Sequence, residues 1–195
     1  EDGRLPAIGE DRPRAVMVRE PGGVRLATLE GDRLVDPVHV DVAFPVMHGA
    51  YCEDGCIQGH FEILGLRYVG CGVTSSANGM DKAFMRTCFE QAGIPLVPWL
   101  TITPGRWRDD RRGCLARVNA ELRYPVYVKP ARGGSSVGIS RVTDPARLAE
   151  AVGTARAADP KVVVEQGVVG AREVECGVLG VAGGAPRASR PGEIV

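Results

Sequence analysis

The chain has no excess charge of either sign and no long hydrophobic run. Its 24 lysine and arginine residues equal its 24 aspartate and glutamate residues, so no overall field attracts nucleic acid or an anionic membrane. No segment approaches the roughly 18 consecutive apolar residues of a membrane-spanning helix. The 195 residues are 44% hydrophobic and 25% charged, as is typical of folded soluble proteins. We therefore expect a soluble protein that binds neither nucleic acid nor membrane.

Lysine is scarce, because 21 of the 24 basic residues are arginine and the only lysines are Lys82, Lys129 and Lys161. In such a background, a retained lysine is a candidate for a site that a compact ammonium suits better than a planar guanidinium.

The six cysteines do not indicate a disulfide framework. A chain of this size can be stabilised by its own core, and its first residues do not have the pattern of a signal peptide. We expect reduced thiols in a cytoplasmic protein. The chain begins with Glu1 rather than Met and ends in a strand-like Ile194-Val195, so we expect both ends to be trimmed.

Strand and helix patterns alternate along the chain, which predicts an α/β or α+β fold. A hairpin is expected at the start, and we place a boundary near residue 79. The predicted strands are 15–19, 24–29, 40–47, 68–69, 96–102, 125–129, 162–164 and 174–179, and the predicted helices are 57–64, 80–92, 113–123 and 145–158.

An apolar strand delivers Lys129 into a run of small residues, 133–138, which we call the glycine–serine loop. Backbone N–H groups of such residues can approach an anion without interference from a Cβ, and two hydroxyls add donors. The segment indicates a phosphate-binding loop. The alternative is a glycine-rich hairpin with one exposed lysine. No Walker A or G-x-G-x-x-G motif is present, so a P-loop or Rossmann nucleotide site is not indicated.

Residues 134–138 also match G-x-S-x-G, the nucleophile elbow of serine hydrolases. The elbow requires a helix directly afterwards and a histidine later in the chain. Here residues 137–142 are strand-like, and the histidines all precede the serines. The pattern therefore does not favour a hydrolase.

A zinc site is a further possibility, because His48, Cys52, Cys56 and His60 recur at four-residue intervals. On a continuous helix they would share one face. Glycines interrupt the segment, and structural zinc ligands usually pair in loops. We expect no metal site here, but two buried thiols and two unrelated histidines.

Glu165 and Gln166 close an apolar run that begins at Lys161. Carboxylates at the exit of such a strand can accept hydrogen bonds from an adenine amine or a ribose. The alternative is that they are solvated edge residues.

Nine motifs, in register, resemble those of the D-alanine:D-alanine ligase family, whose fold is ATP-grasp. They are FPVMHGAYCEDG (44–55), QG (58–59), YVGCG (68–72), MDK (80–82), YPVYVKP (124–130), GSSVG (134–138), VEQ (164–166), EVECG (173–177) and PGEIV (191–195). The resemblance implies an incomplete, Rossmann-like N-terminal substrate domain over 1–79, a central ATP-grasp domain over 80–166, and the beginning of a C-terminal ATP-grasp domain over 167–195.

The activity implied by the resemblance is ATP-dependent synthesis of D-alanyl-D-alanine for peptidoglycan, with Mg²⁺, through a D-alanyl phosphate. The implied partners are D-alanine, ATP and a second copy of the chain in a homodimer. A related ligase for D-lactate or D-serine is the alternative, because most residues that choose the second substrate would lie outside the chain.

The site residues implied by the resemblance fall into three groups. His48 and Glu53 would lie beside the first D-alanine, and Ser135 and Ser136 would act at the reacting groups. The nucleotide would be bound by Lys82, Lys129, Gly133, Gly134, Ser135, Ser136, Glu165, Gln166, Val168 and Glu173. Lys161 has no role in this pattern, so we expect its substitution to be nearly silent.

The sequence departs from the family pattern at Cys52, where the family usually has glycine. The Mg²⁺ ligands and an arginine that steadies the transition state would lie beyond Val195. We therefore expect this chain alone not to catalyse the reaction, which leaves a non-catalytic nucleotide-binding fragment as a second hypothesis.

Overall fold

The computed structural model describes residues 13–180 and 183–194. Three antiparallel strands come first, β1 (Arg14–Glu20), β2 (Gly23–Glu30) and β3 (Arg33–Val40), in the order β1-β2-β3. The predicted hairpin is confirmed, and a third strand extends it. Residues 1–12 and 181–182 and Val195, which belong to the first and third predicted domains, lie outside the described residues.

A small parallel unit follows the three-stranded sheet. Strand β4 (Val42–Ala43) pairs with β5 (Arg67–Tyr68), and helix α1 (Cys56–Leu64) connects them. Phe61 on α1 is buried with Val24 and Leu66. The strand predicted over 40–47 is wrong beyond Ala43: Pro45 has no N–H to donate, and Phe44 and Val46 are exposed.

The helix predicted over 80–92 forms as α3 (Lys82–Gln91), and a helix that was not predicted, α2 (Val73–Met80), precedes it. Asp81 separates them with an extended backbone, and its carboxylate accepts hydrogen bonds from the N–H groups of Ala83 and Phe84. This is an N-cap, and it fixes Lys82 as the first residue of α3. Helix α2 was missed because its residues, which include Gly, Ser, Thr and Asn, have low helix propensity.

A four-stranded antiparallel sheet with the order β6-β9-β7-β8 forms the centre of the chain. Its strands are β6 (Trp99–Ile102), β7 (Val126–Pro130), β8 (Ser140–Val142) and β9 (Val162–Gln166), and the accompanying helices are α4 (Pro104–Asp109), α5 (Arg111–Glu121) and α6 (Leu148–Ala158), the last preceded by a 3₁₀ turn over Pro145–Arg147. The predicted strands and helices of this region are confirmed, with shifts at their ends.

The two faces of the central sheet differ, because side chains alternate along each strand. One face packs against α5 and α6 in the main core, whose members include Leu100, Val126, Val128, Val152, Val162 and Val164. The intervening residues lie on the opposite face, which we call the site face: Trp99, Thr101, Tyr127, Lys129, Val163 and Glu165. Helix α3 lies on the site face, where Trp99 Nε1 donates to Glu90 Oε1 at 2.7 Å.

Two short antiparallel strand pairs, one lying within the other in sequence, end the described chain. Strand β10 (Val174–Glu175) pairs with β13 (Gly192–Glu193), and β11 (Val178–Leu179) pairs with β12 (Arg187–Ala188). The continuous strand predicted over 174–179 is wrong, because its two halves pair with different partners. No helix among the described residues is long and apolar enough to cross a membrane.

Leu148 is 1% exposed and packs in the main core. The substitution Leu148→Ala is therefore expected to lower the free energy of unfolding by about 2 to 5 kcal/mol. Urea denaturation of the intact protein measures this change. Thr154→Ala, an exposed position on the same helix, is the matched control and is expected to change stability by less than about 0.5 kcal/mol. Equal effects from the two substitutions would contradict the placement of the core.

Candidate active site

The N-terminus of α3 lies against the base of the glycine–serine loop. The backbone N–H of Lys82 donates to Ala131 O at 2.8 Å, and its ammonium Nζ donates to Gly133 O at 2.7 Å. A β-bridge joins Asp81 to Arg132. The structure thus brings together Lys82 and Gly133, two predicted nucleotide-binding residues that lie 51 positions apart.

The glycine–serine loop has an unusual backbone. Ser135 and Ser136 both have positive φ, at 49° and 58°, a region that costs non-glycine residues on the order of 1 to 3 kcal/mol each. Both side chains are exposed, and neither makes a hydrogen bond to the described residues. Such conformations are enriched at ligand clamps. Strand β8 follows the loop, so the helix that a hydrolase elbow needs is not formed.

Lys129 and Glu165 form an ion pair on the site face. Because Lys129 is opposite Val163 in the antiparallel register, Glu165 lies diagonally beside it on the same face. Arg86, from α3, pairs with the same carboxylate. Glu165 is only 7% exposed, so its interpretation as a solvated edge residue is wrong.

Arg86 is a site residue that sequence reasoning missed. It lies four positions after Lys82, which places both side chains on one face of α3, and this spacing could have identified it. Its guanidinium carbon is 6.0 Å from the centroid of the Trp99 ring. Arg86 and Lys129 thus share the buried Glu165 carboxylate, and the charge of Lys82 acts on Lys129. We call these three residues the cationic cluster.

The three cations of this cluster are partly desolvated and repel one another. Burial lowers the pKa of Lys129, and the charges of Arg86 and Lys82 lower it further. Burial also lowers the pKa of Lys82, although the Asp81 and Asp159 carboxylates oppose this. Burial lowers the pKa of Arg86 as well. A bound polyanion would relieve this repulsion, so the cluster is suited to hold phosphates.

We expected Lys161 to have no role, but it lies beside the site. Its ammonium pairs with the buried carboxylate of Asp81, the residue before Lys82. Its Nζ is 4.7 Å from the centroid of the Phe84 ring. Removing this ammonium would leave Asp81 without its cation, so we no longer expect substitution of Lys161 to be silent.

His48 and Glu53 lie at the two ends of one loop. Glu53 Oε2 accepts a hydrogen bond from Gly49 N at 2.6 Å, and Glu53 Oε1 is 3.7 Å from His48 Nδ1. Gln58 Nε2 donates to Cys52 O at 3.0 Å, which ties the same loop to α1. The loop therefore holds Glu53 close to His48, as the sequence interpretation requires.

The four-residue spacing of His48, Cys52, Cys56 and His60 does not produce one helical face, since α1 begins only at Cys56. Within residues 13–180 and 183–194, no group of three or more His, Cys, Asp or Glu side chains could hold a metal ion. The expectation of two buried thiols is wrong, because Cys56 is exposed and Cys52 is only partly buried. All six cysteines are free.

A cleft of about 590 Å³ extends from the loop that contains Glu53 to the residues that we predict to bind the nucleotide phosphates. Glu53 and Gln58 line one part of it, and Lys82, Gly133 and Gly134 line another. Gln58 Oε1 is buried without a hydrogen-bond partner among the described residues. Residues predicted to bind substrate and residues predicted to bind nucleotide thus share a single cavity.

The remaining predicted residues lie where β9 ends and beyond it. Gln166 Oε1 accepts a hydrogen bond from Arg123 N at 3.0 Å, so its side chain ties β9 to the turn before β7. Val168 and Glu173 are exposed, and no hydrogen bond or ion pair joins either side chain to the described residues. The structure does not bring these three residues into the cleft.

Known proteins that are similar to this chain include D-alanine–D-alanine ligases. Residues 16–71 match the family model "D-ala D-ala ligase N-terminus", and residues 88–195 match "D-ala D-ala ligase C-terminus". The D-alanine–D-alanine ligase of Kineococcus radiotolerans is 53% identical over 80% of the chain and 41% of that protein. The ligase of Paenarthrobacter aurescens is 47% identical over 93% of the chain and 48% of that protein.

The fold agrees with these matches. The crystal structure of VanG D-Ala:D-Ser ligase from Enterococcus faecalis is 32% identical and superimposes with a TM-score of 0.78, over 93% of the chain and 49% of that protein. The predicted ATP-grasp fold class, with mixed helix and strand, is thereby confirmed. The chain spans less than half the length of each of these relatives. On two matching family models that together cover most of its length, the chain belongs to the D-alanine–D-alanine ligase family.

Proposed function

We propose that the protein containing this chain joins two D-alanine molecules at the expense of ATP, for peptidoglycan synthesis. The observation that carries the proposal is the convergence of Lys82, Arg86 and Lys129 beside the glycine–serine loop. The Glu165 carboxylate pairs with both Arg86 and Lys129, and the carboxylates near Lys82 each pair with another cation, so positive charge is locally in excess. A triphosphate supplies the matching negative charge.

In the proposed reaction, a carboxylate oxygen of the first D-alanine attacks the γ-phosphorus of ATP, and ADP leaves. The product is a D-alanyl phosphate. The neutral amine of the second D-alanine then attacks the carbonyl carbon, the bond from that carbon to the phosphate oxygen breaks, and the nitrogen loses one proton, which leaves with the phosphate as the peptide bond forms. Lys82 and Lys129 neutralise the phosphate charge, while the loop N–H groups and the hydroxyls of Ser135 and Ser136 orient the transferred group.

The substrate end of the cleft fits an amino acid. Glu53 and His48 lie beside the first D-alanine in this proposal, and the shared cavity allows its carboxylate to reach the phosphate held by Lys82. Gln166, Val168 and Glu173 are proposed to line the adenine and ribose pocket. The three-domain division and the homodimer stay predictions.

The proposal includes Mg²⁺ as a companion of ATP, which would neutralise further phosphate charge when bound. The described residues contain no cluster of side chains that could bind a metal ion, and we assign no Mg²⁺ ligand to them. Every other role proposed here is one that the chain's own ammonium, guanidinium, hydroxyl and backbone groups perform.

Ligation of D-serine as the second substrate is a second candidate, favoured by the superposition on a D-Ala:D-Ser ligase. An assay of phosphate release with ATP and D-alanine, repeated with D-serine or D-lactate added, separates the candidates. We expect turnover with D-alanine alone. ATP binding by calorimetry without any turnover in the intact protein would favour the non-catalytic hypothesis instead.

Substitution of Lys129 tests the phosphate site. Lys129→Met is expected to weaken ATP binding by about 10- to 100-fold, the loss of one charge-assisted contact, while Arg86 still neutralises Glu165 in the folded protein. Isothermal titration calorimetry of the intact protein measures this change. The control is Arg117→Met, which removes an exposed ion pair with Glu121 and should leave the affinity unchanged. An equal loss in both variants would refute the assignment.

ATP binding is also expected to be linked to proton uptake at alkaline pH. The pKa values of Lys82 and Lys129 lie below the ordinary lysine value in the free protein. Phosphate favours the charged ammonium and raises both pKa values, so binding takes up protons and weakens as the pH rises. Calorimetry at about pH 9 to 10, in buffers of different ionisation enthalpy, measures the uptake. Lys129→Met should reduce it, and proton release on binding would contradict the charge arrangement.

A further inference from the structure

Lys161 contacts three separate segments of the site. Its ammonium pairs with Asp81. Its backbone N–H donates to Asp159 Oδ1 at 3.0 Å, and its carbonyl oxygen accepts from Ala131 N at 2.9 Å. A single residue therefore connects the start of α3, the base of the glycine–serine loop and the turn between α6 and β9.

The Asp81 end of this network determines where Lys82 lies. Asp81 is 5% exposed and caps α3, with its Oδ1 3.0 Å from Ala83 N. Its Oδ2 is the atom that Lys161 contacts. A buried carboxylate without a cation is strongly unfavourable, so the Lys161 ammonium stabilises the position of the cap and of Lys82, the next residue.

The Asp159 end holds the base of the loop. Asp159 Oδ2 accepts from the backbone N–H of Arg132 at 2.8 Å and from its Nε at 2.9 Å, and Oδ1 accepts from Nη2 at 3.0 Å. Gly133, whose carbonyl accepts from the Lys82 ammonium, is the next residue. The two ends of the network thus meet at the contact between Lys82 and the loop.

We propose that Lys161 is a positioning residue for the nucleotide phosphates: through Asp81, it sets the Lys82 ammonium and the glycine–serine loop in their binding geometry. This inference rests on the proposed function. Lys161 acts indirectly, because its charge is already neutralised by Asp81. A compact ammonium suits this place, since Nζ must contact the Asp81 carboxylate while lying close to the Phe84 ring.

A double-mutant cycle in the intact protein tests the proposal, with Asp81→Asn, Lys161→Met and the variant that carries both. Asparagine is also a good N-cap, and the double variant leaves no unpaired buried charge, so it keeps the test available if Lys161→Met fails to fold. Each variant is expected to raise the Kd for ATP about tenfold, as does loss of a charge-assisted contact. The double variant should lose no more ATP affinity than either single variant, because both substitutions disrupt the same ion pair.

The KM values separate positioning from a general structural role. The KM for ATP should rise with the Kd, while the KM for D-alanine stays within about twofold of wild type, since Glu53 lies on a different loop. Arg147→Met, which removes an exposed ion pair with Glu150, is the control and should change neither constant.

Two results would overturn the inference while leaving the proposed function intact. One is an unchanged ATP affinity in the folded double variant, while the Lys129→Met variant still binds ATP more weakly than the wild type. The other is additive losses in the cycle, which would mean that Lys161 contacts the nucleotide directly. If Lys129→Met also binds ATP normally, the phosphate site itself is misplaced, and both proposals fail together.

Discussion

The burial of the Glu165 carboxylate is the constraint on which the site depends. Removing a carboxylate from water costs several kcal/mol unless cations compensate it. Two cations do so from different elements: Lys129 from β7, and Arg86 from α3. The carboxylate therefore holds α3 against the site face of the sheet, and this contact carries Lys82, the first residue of α3, to the glycine–serine loop.

A second buried carboxylate, Asp81, works in the same way at the end of α3. Its side chain caps the helix and pairs with Lys161. All three lysines of the chain thus take part in one connected set of contacts, in a sequence whose other basic residues are arginine. The scarcity of lysine was informative for Lys161 as well, where the family pattern gave no role. An ammonium on a flexible stem can be desolvated against one carboxylate or one carbonyl, whereas a guanidinium presents five donors in a planar fork.

The sequence predicted what short local patterns determine. The central strands follow from apolar runs, and the candidate loop follows from its glycines and serines. It could not predict which side chains meet across the sheet, because the Lys129 and Glu165 pair depends on strand register. The pairing of Lys161 with Asp81, 80 positions apart, depends on tertiary packing. Helix α3 was predicted to begin at residue 80 rather than at Lys82 for a related reason: it is the capping geometry of Asp81, and not helical periodicity, that sets this boundary.

The pairing of one carboxylate with two cations has a consequence for the proposed reaction. Suppose that Lys129 were the only partner of Glu165. Movement of the Lys129 ammonium to a phosphate would then leave the buried Glu165 carboxylate without a cation, and the free-energy cost of that unpaired charge would weaken binding. Arg86 remains beside Glu165 after such a transfer, so the carboxylate keeps a partner. Before binding, Arg86 and Lys129 share the Glu165 carboxylate, and the repulsion among these two cations and Lys82 is present in the free protein. A polyanion removes that repulsion without breaking the contact that holds α3 to the sheet, so the geometry that binds phosphate is already assembled when phosphate arrives.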